Sequence, residues 1–233
     1  VFVCLSYLLL AFVPIFSIVR WIKISENALD YSLMGTIRHA LFLPRSWDVP
    51  ERHFQEQHLP ADGVYLDIGA NSGLYSVLAL SRLDQRGTLI ALEPNPVMFR
   101  RLLVNIALND PVARLRLHCC GVAERAGNFT LQLSSRNLGA ARLGGDGQGA
   151  GRVRVVCRPL IDILRQDGVE RVDVMKIDIE GYESRALNPF FASAPRSLWP
   201  RFINIESPQG VDWKALGYVV VQTTRQNTLL SLA

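Results

Sequence analysis

Three short stretches hold side chains able to bind or alter a ligand. The first is Asp67-Ile68-Gly69-Ala70-Asn71-Ser72-Gly73, which follows the apolar run Val64–Ile68. Its glycines permit a sharp turn and a close approach of backbone to a ligand, and ligands of open parallel sheets bind beyond the carboxyl ends of the strands. The second is Glu93, which closes the next apolar run twenty residues after Gly73. An acid placed there can accept hydrogen bonds from both hydroxyls of a ribose. The third is Lys176-Ile177-Asp178-Ile179-Glu180-Gly181-Tyr182-Glu183, which begins inside an apolar strand and ends in a glycine turn. Lys176, Asp178 and Glu180 alternate and so should share one face, where three charges are costly unless paired or used. Asp178 or Glu180 could take the proton of an acceptor or hold the amino group of a ligand. Glu206, at the end of the following strand, opens onto the same mouth. An ion network of the lysine and its acids would account for the same charges without any chemistry.

The ligand implied is a nucleoside. A nicotinamide enzyme would show G-x-G-x-x-G, whereas Asn71 stands at the middle glycine position. Asp67 with the Ala70–Asn71 pair suits a methionine sulfonium better than a pyrophosphate. Glu93 alone fits either ligand. No metal is expected: the cysteines Cys4, Cys119, Cys120 and Cys157 form no C-x-x-C pair, and His118 with Cys120 has no second ligand pair at suitable spacing. The cysteines read as small buried hydrophobes in a reducing compartment.

The elements that must position these residues alternate between strand and helix. Strands are expected at Val64–Ile68, Thr88–Leu92, 115–122, 172–179 and 201–205, with helices at 74–83, 96–108 and Leu160–Gln166. Residues 129–133 and 152–157 read as a β-hairpin around the glycine-rich loop 144–151. A brief helix at 212–216 ends at Gly217, and Tyr218–Thr223 and Thr228–Leu232 close the chain. These last two strands have no crossover helix between them, so they pair antiparallel. The expectation is an α/β fold. It has a Rossmann-like, seven-stranded, mostly parallel sheet with helices on both faces, antiparallel closing strands and a β-hairpin insertion.

Three units follow from this. Residues 1–23 form an apolar segment: the first nineteen carry no charge, and as a helix they would run roughly 28 Å at ~1.5 Å per residue, close to a bilayer core. Arg20, Trp21 and Lys23 follow as interfacial anchors, so the segment reads as a membrane helix that leaves the rest on the cytoplasmic side. A helix packed on the domain and a cleaved signal are the alternatives. Residues 24–60 form a lid or linker with a candidate helix at 28–42, then Pro44, Pro50 and Pro60 as breakers, and with His39, His53 and His58. Residues 61–233 form the main domain.

The stretches LDIGANSGLYSVLA, IALEPNPVMFRRLLVNIALN and VMKIDIEGYE, in that order, resemble the FkbM family of methyltransferases. The resemblance runs from about Leu59 to the end. The segment Asn137-Leu138-Gly139-Ala140 also resembles the family's insertion. The family implies S-adenosylmethionine as donor and O-methylation of a hydroxyl on a small molecule, a sugar or a polyketide-like product. Carried over residue by residue, the cofactor contacts fall on Asp67, Gly69, Ala70, Asn71, Gly73, Glu93 and Asn95. By analogy with class I methyltransferases, Gly121 and Val122 border the adenine, and Asp178 and Glu180 lie near the methyl group.

Composition excludes little more. The chain has 233 residues, of which 49% are hydrophobic and 20% charged, with a net charge of +4. Five arginines between Arg136 and Arg158 against the single acid Asp146 suit an anionic acceptor or a solvated hairpin face. No dense basic patch interleaved with aromatics points to nucleic acid. A catalytically silent cofactor-binding or scaffold module, an RNA methyltransferase and an NAD-dependent oxidoreductase remain alternative readings of the fold.

Overall fold

The structure is a computed structural model that describes residues 48–133, 141–143 and 151–233, the middle segment as backbone. The apolar segment 1–23, the candidate helix at 28–42, His39, the Asn137–Ala140 stretch and the loop 144–150 lie outside the described residues. Among the described residues no helix is long and apolar enough to cross a membrane.

The chain begins with α1 (Val49–His58) and continues β1 (Val64–Ile68), α2 (Leu74–Leu80), β2 (Thr88–Leu92), α3 (Pro96–Ala107) and β3 (Arg114–His118). A second sheet follows from β4 (Gly121–Val122), β5 (Gly127–Leu133), β6 (Ala141–Leu143) and β7 (Gly151–Arg158). Then come α4 (Leu160–Gln166), β8 (Val174–Ile177), α5 (Glu183–Ser193), a 3-10 turn, β9 (Phe202–Ile205), β10 (Tyr218–Thr223) and β11 (Thr228–Leu232). The main sheet has seven strands in the order β10-β11-β9-β8-β1-β2-β3. Pairing is parallel from β3 to β9 and antiparallel at β11 and β10. The Rossmann-like expectation and its antiparallel ending are borne out.

The alternation of side chains along the central strands builds two cores. Leu66 and Ile68 of β1, Ile90 and Leu92 of β2, Met175 and Ile177 of β8, and Ile203 and Ile205 of β9 face α4 and α5. Tyr65, Leu89, Ala91 and Val174 face the other way, against α2 and α3. Strands covered on both faces are apolar on both, as parallel sheets require. The exceptions form a row: Asp67, Lys176 and Asn204 stand in register on adjacent strands, all buried, on the α2 face.

Several boundaries differ from expectation. The third strand leaves the main sheet at His118, and Gly121–Val122 pairs with Cys157–Arg158 of β7 in the second sheet. The expected hairpin exists as β5 against β7, but β6 adds a third strand to β5. Cys120 and Cys157 are buried as expected, whereas Cys119 is exposed, because the chain turns outward between the two sheets. Residues 213–217 form turns rather than a helix. Helix α5 had no counterpart in the sequence reading. Its buried stripe is Ala186, Leu187, Phe190 and Phe191, and Pro189 sits inside it. Pro50 starts α1 instead of breaking a segment, since its missing N–H costs nothing in a first turn. At the far end of α1, His58 stacks on Phe202 with ring centroids 3.9 Å apart, at the amino end of β9 and away from the carboxyl ends of the strands.

Candidate functional site

The turn after β1 carries the first cluster. Gly69 and Ala70 donate backbone hydrogen bonds to the Leu92 carbonyl, which ties the turn to the end of β2. Gly69 has φ +77, and a Cβ there would land on the carbonyl oxygen of Asp178. Gly73 has φ +89, and its Cβ would collide with Leu102 of α3. These two glycines therefore answer close contacts with protein, one of them with the acid loop after β8. Asn71 also takes a left-handed conformation, at φ 53, which asparagine tolerates better than most residues. Its side-chain oxygen accepts from the Ser72 N–H at 2.7 Å. The Ser72 carbonyl in turn accepts from Asn105 of α3 at 2.8 Å.

Glu93 organises this cradle. One carboxyl oxygen accepts from the Asn71 N–H at 2.8 Å and the other from the Asn95 N–H at 2.7 Å. Burial pushes this carboxyl up to about 7, opposed by the two N–H bonds. Asn95 caps α3, accepting from the Val97 N–H at 3.0 Å. A carboxylate has about four acceptor sites, so one remains on each oxygen after the backbone is satisfied. That is the acceptor set a ribose diol needs, and the cradle fits the nucleoside implied by the sequence.

Asp67 lies one layer beneath. It is fully buried, accepts from Ser76 at 2.6 Å, and has no partner for its other oxygen among the described residues. Burial raises its carboxyl above the usual range. Ala70 is buried at the turn, and Gly121 and Val122 are buried in β4 just beyond the end of β3.

The acids gather at the carboxyl ends of β8 and β9. Lys176 Nζ lies 3.1 Å from Asp178 Oδ2 and 4.9 Å above the centre of the Tyr75 ring. Asp178 and Glu206 are hydrogen-bonded to each other. Burial works against the charge on Asp178, yet the Lys176 ammonium and the Glu206 bond hold its carboxyl below the ordinary value. Burial, the Asp178 bond and the neighbouring charges of Asp178, Glu180 and Glu183 push Glu206 up to about 8. The Lys176 ammonium thus favours the charge on Asp178, and burial with the surrounding carboxylates favours the proton on Glu206. The expected alternation of Lys176, Asp178 and Glu180 holds only for the first two. The strand ends at Ile177, and the backbone at Glu180 takes a left-handed conformation at φ 57, outside the alternation. Glu183 caps the same loop, accepting from the Ile179 N–H at 3.0 Å. Among the described residues no cluster of three or more His, Cys, Asp or Glu could hold a metal.

The profile of the methyltransferase FkbM domain matches residues 67–211, more than half of the chain. The chain belongs to the FkbM methyltransferase family. Two curated relatives are similar to part of this chain. Methyltransferase sdnD of Sordaria araneosa is 32% identical over 159 residues, covering 56% of this chain and 61% of that protein. AMB antimetabolite synthetase AmbE of Pseudomonas aeruginosa is 28% identical over 163 residues, covering 55% of this chain and 8% of that protein. The chain thus spans less than two thirds of either relative. A solved FkbM methyltransferase from Methylobacillus flagellatus superposes with a TM-score of 0.42 at 16% identity, over 88% of this chain and 55% of that one. Family membership makes S-adenosylmethionine the donor.

The matched region of this FkbM chain contains all three sequence clusters. Gly69, Ala70, Asn71, Gly73, Glu93 and Asn95 form one continuous cradle, and Asp178 and Glu206 meet beside it. Sequence reasoning missed Tyr75, Ser76 and Asp48. The first two are polar positions on an otherwise apolar helix directly after Gly73, which is a readable signal. Asp48 carries none: its carboxylate accepts from the Tyr75 hydroxyl at 2.8 Å across 27 residues of sequence.

Proposed function

We propose that the chain transfers the methyl group of S-adenosylmethionine to a hydroxyl of a small-molecule acceptor. The observation that carries the reading is Asp178, held anionic by Lys176 at the mouth of the sheet while its own backbone carbonyl packs against Gly69 of the cradle. The proton acceptor and the nucleoside site are thereby in contact through the main chain.

S-adenosylmethionine, when bound, supplies a methyl group already activated by the sulfonium charge. Glu93 would hold the ribose through its two remaining acceptor sites and fix the nucleoside against the turn. Asp178 would accept a hydrogen bond from the acceptor hydroxyl, orient its lone pair, and take the proton as the new bond forms. A weak base suffices, because the hydroxyl becomes a far stronger acid once methylated. Glu206, protonated, keeps Asp178 from being fully solvated or repelled by a second charge. Glu180 lies near enough to influence Glu206.

The test is transfer of label from S-adenosylmethionine carrying a tritiated methyl group to a panel of sugars, polyketide alcohols and other hydroxylated small molecules, using the full chain. Labelled methyl ether in any of them, lost in Asp178→Ala, supports the reading. Donor binding with no transfer to any hydroxyl, or transfer only to RNA, would refute it.

A further inference from the structure

Lys176 is a fully embedded lysine that no sequence reading assigned a task of its own. It stands on the central strand β8 with its side chain 8% exposed. In register on either side are Asp67 of β1 and Asn204 of β9, each with a side-chain oxygen that has no partner among the described residues. Its ammonium is placed by two direct contacts, and a third residue fixes one of them. Asp178 Oδ2 is 3.1 Å away at the end of the same strand. The ring of Tyr75, on α2, lies beneath it at 4.9 Å. Asp48, at the entrance to α1, accepts from the Tyr75 hydroxyl at 2.8 Å and fixes that ring.

A cation over a ring face is held without removing any of its N–H donors, so the ammonium keeps them for Asp178. Hydrogen bonding of the phenol to a carboxylate makes the ring more electron-rich and the contact stronger. The backbone of Asp48 adopts the left-handed region at φ 41, which aspartate, like asparagine, tolerates better than most residues.

We infer that Asp48 and Tyr75 are positioning residues for methyl transfer: they clamp the Lys176 ammonium, and through it they set which of the two paired carboxyls, Asp178 or Glu206, is the anion. The inference rests on the proposed role of Asp178 as proton acceptor. All charged groups around the pair enter the argument. Lys176, Asp67, Glu93 and Glu206 interact with Asp178, Glu180 and Glu183 with Glu206, and Asp48 lies close enough to Lys176 to interact with its charge. With the clamp loosened, the ammonium would drift toward Asp67 or solvent and the preference for Asp178 as the anion would weaken.

The experiment is a carboxyl-carbon NMR titration of the full chain with labelled aspartate and glutamate, following the two macroscopic steps of the Asp178–Glu206 pair. Lys176→Met should raise the lower step by at least one pH unit, a tenfold change in proton affinity, and Lys176→Arg should restore most of it. Tyr75→Leu should raise it by about half a unit, roughly threefold, with smaller rises in Tyr75→Phe and Asp48→Asn. The last two keep the core packing, so the test survives if Tyr75→Leu does not fold. If Lys176→Met moves the step while Tyr75→Phe and Asp48→Asn leave it unchanged in folded protein, the clamp is overturned. The titration uses no acceptor, so its failure is distinct from failure of the hydroxyl-transfer reading, which shows in the labelling screen.

Discussion

Glu93 offers a sharp test of the donor cradle, because its carboxyl must be ionised to accept from a ribose diol on both oxygens. Burial holds it at about 7 in the unliganded protein. The sign follows directly: a ligand that donates to the carboxylate favours the ionised form, so binding releases a proton below that value and affinity rises with pH until it levels off above 7. The ionised fraction falls from about 0.9 at pH 8 to about 0.1 at pH 6, so affinity should drop about tenfold, or ~1.4 kcal/mol, over that interval. The probe is 5′-methylthioadenosine, the nucleoside half of the donor, which has no group titrating in that window. Calorimetry in two buffers of different ionisation enthalpy reads both the affinity and the proton released. Glu206, raised to about 8, also titrates there, so the measurement is repeated in Glu206→Gln. An affinity flat from pH 6 to pH 8, with no proton exchanged in either protein, would refute the role of Glu93. The same shift predicts that stability without ligand falls as pH rises from about 4.5 to about 7, by at most ~3 kcal/mol from this group.

Gly69→Ala should lose about 4 kcal/mol or more, since a Cβ would strike the Asp178 carbonyl at a positive φ; the melting midpoint should drop by roughly 10 °C. Ser76→Ala removes the one bond that, among the described residues, Asp67 accepts from another side chain, so urea melts at pH 7 should show a loss of ~1–3 kcal/mol. That deficit should shrink toward pH 4, because the Asp67 carboxyl, already raised by burial, rises further without Ser76 and is relieved by protonation. Leu187→Ala, fully buried between α5 and the sheet, should cost ~2–5 kcal/mol in denaturant melts while donor affinity stays within about twofold.

Much of this protein was legible along the chain because its signals are local. Apolar runs with their turn residues fix β1, β2, α4, β10 and β11, and the lack of a crossover between the last two strands forces their antiparallel pairing. The glycine turn, Glu93 and the Lys176–Glu183 stretch each lie within a few residues of a strand end, so the Rossmann-like topology alone carries them to one edge of the sheet. The FkbM resemblance rests on the same local stretches.

What the tertiary structure decided is which of those groups meet and in what state. Helix α5, with a proline in its interior, stands because its apolar stripe packs on β8 and β9, and burial outweighs the lost hydrogen bond. Gly69 is required by a carbonyl over a hundred residues away. Charge is favoured on Asp178 and the proton on Glu206 because Lys176, in contact with Tyr75, lies against the first and carboxylates surround the second. Ionisation depends on distance in space and on the water excluded, and neither quantity is written in sequence spacing.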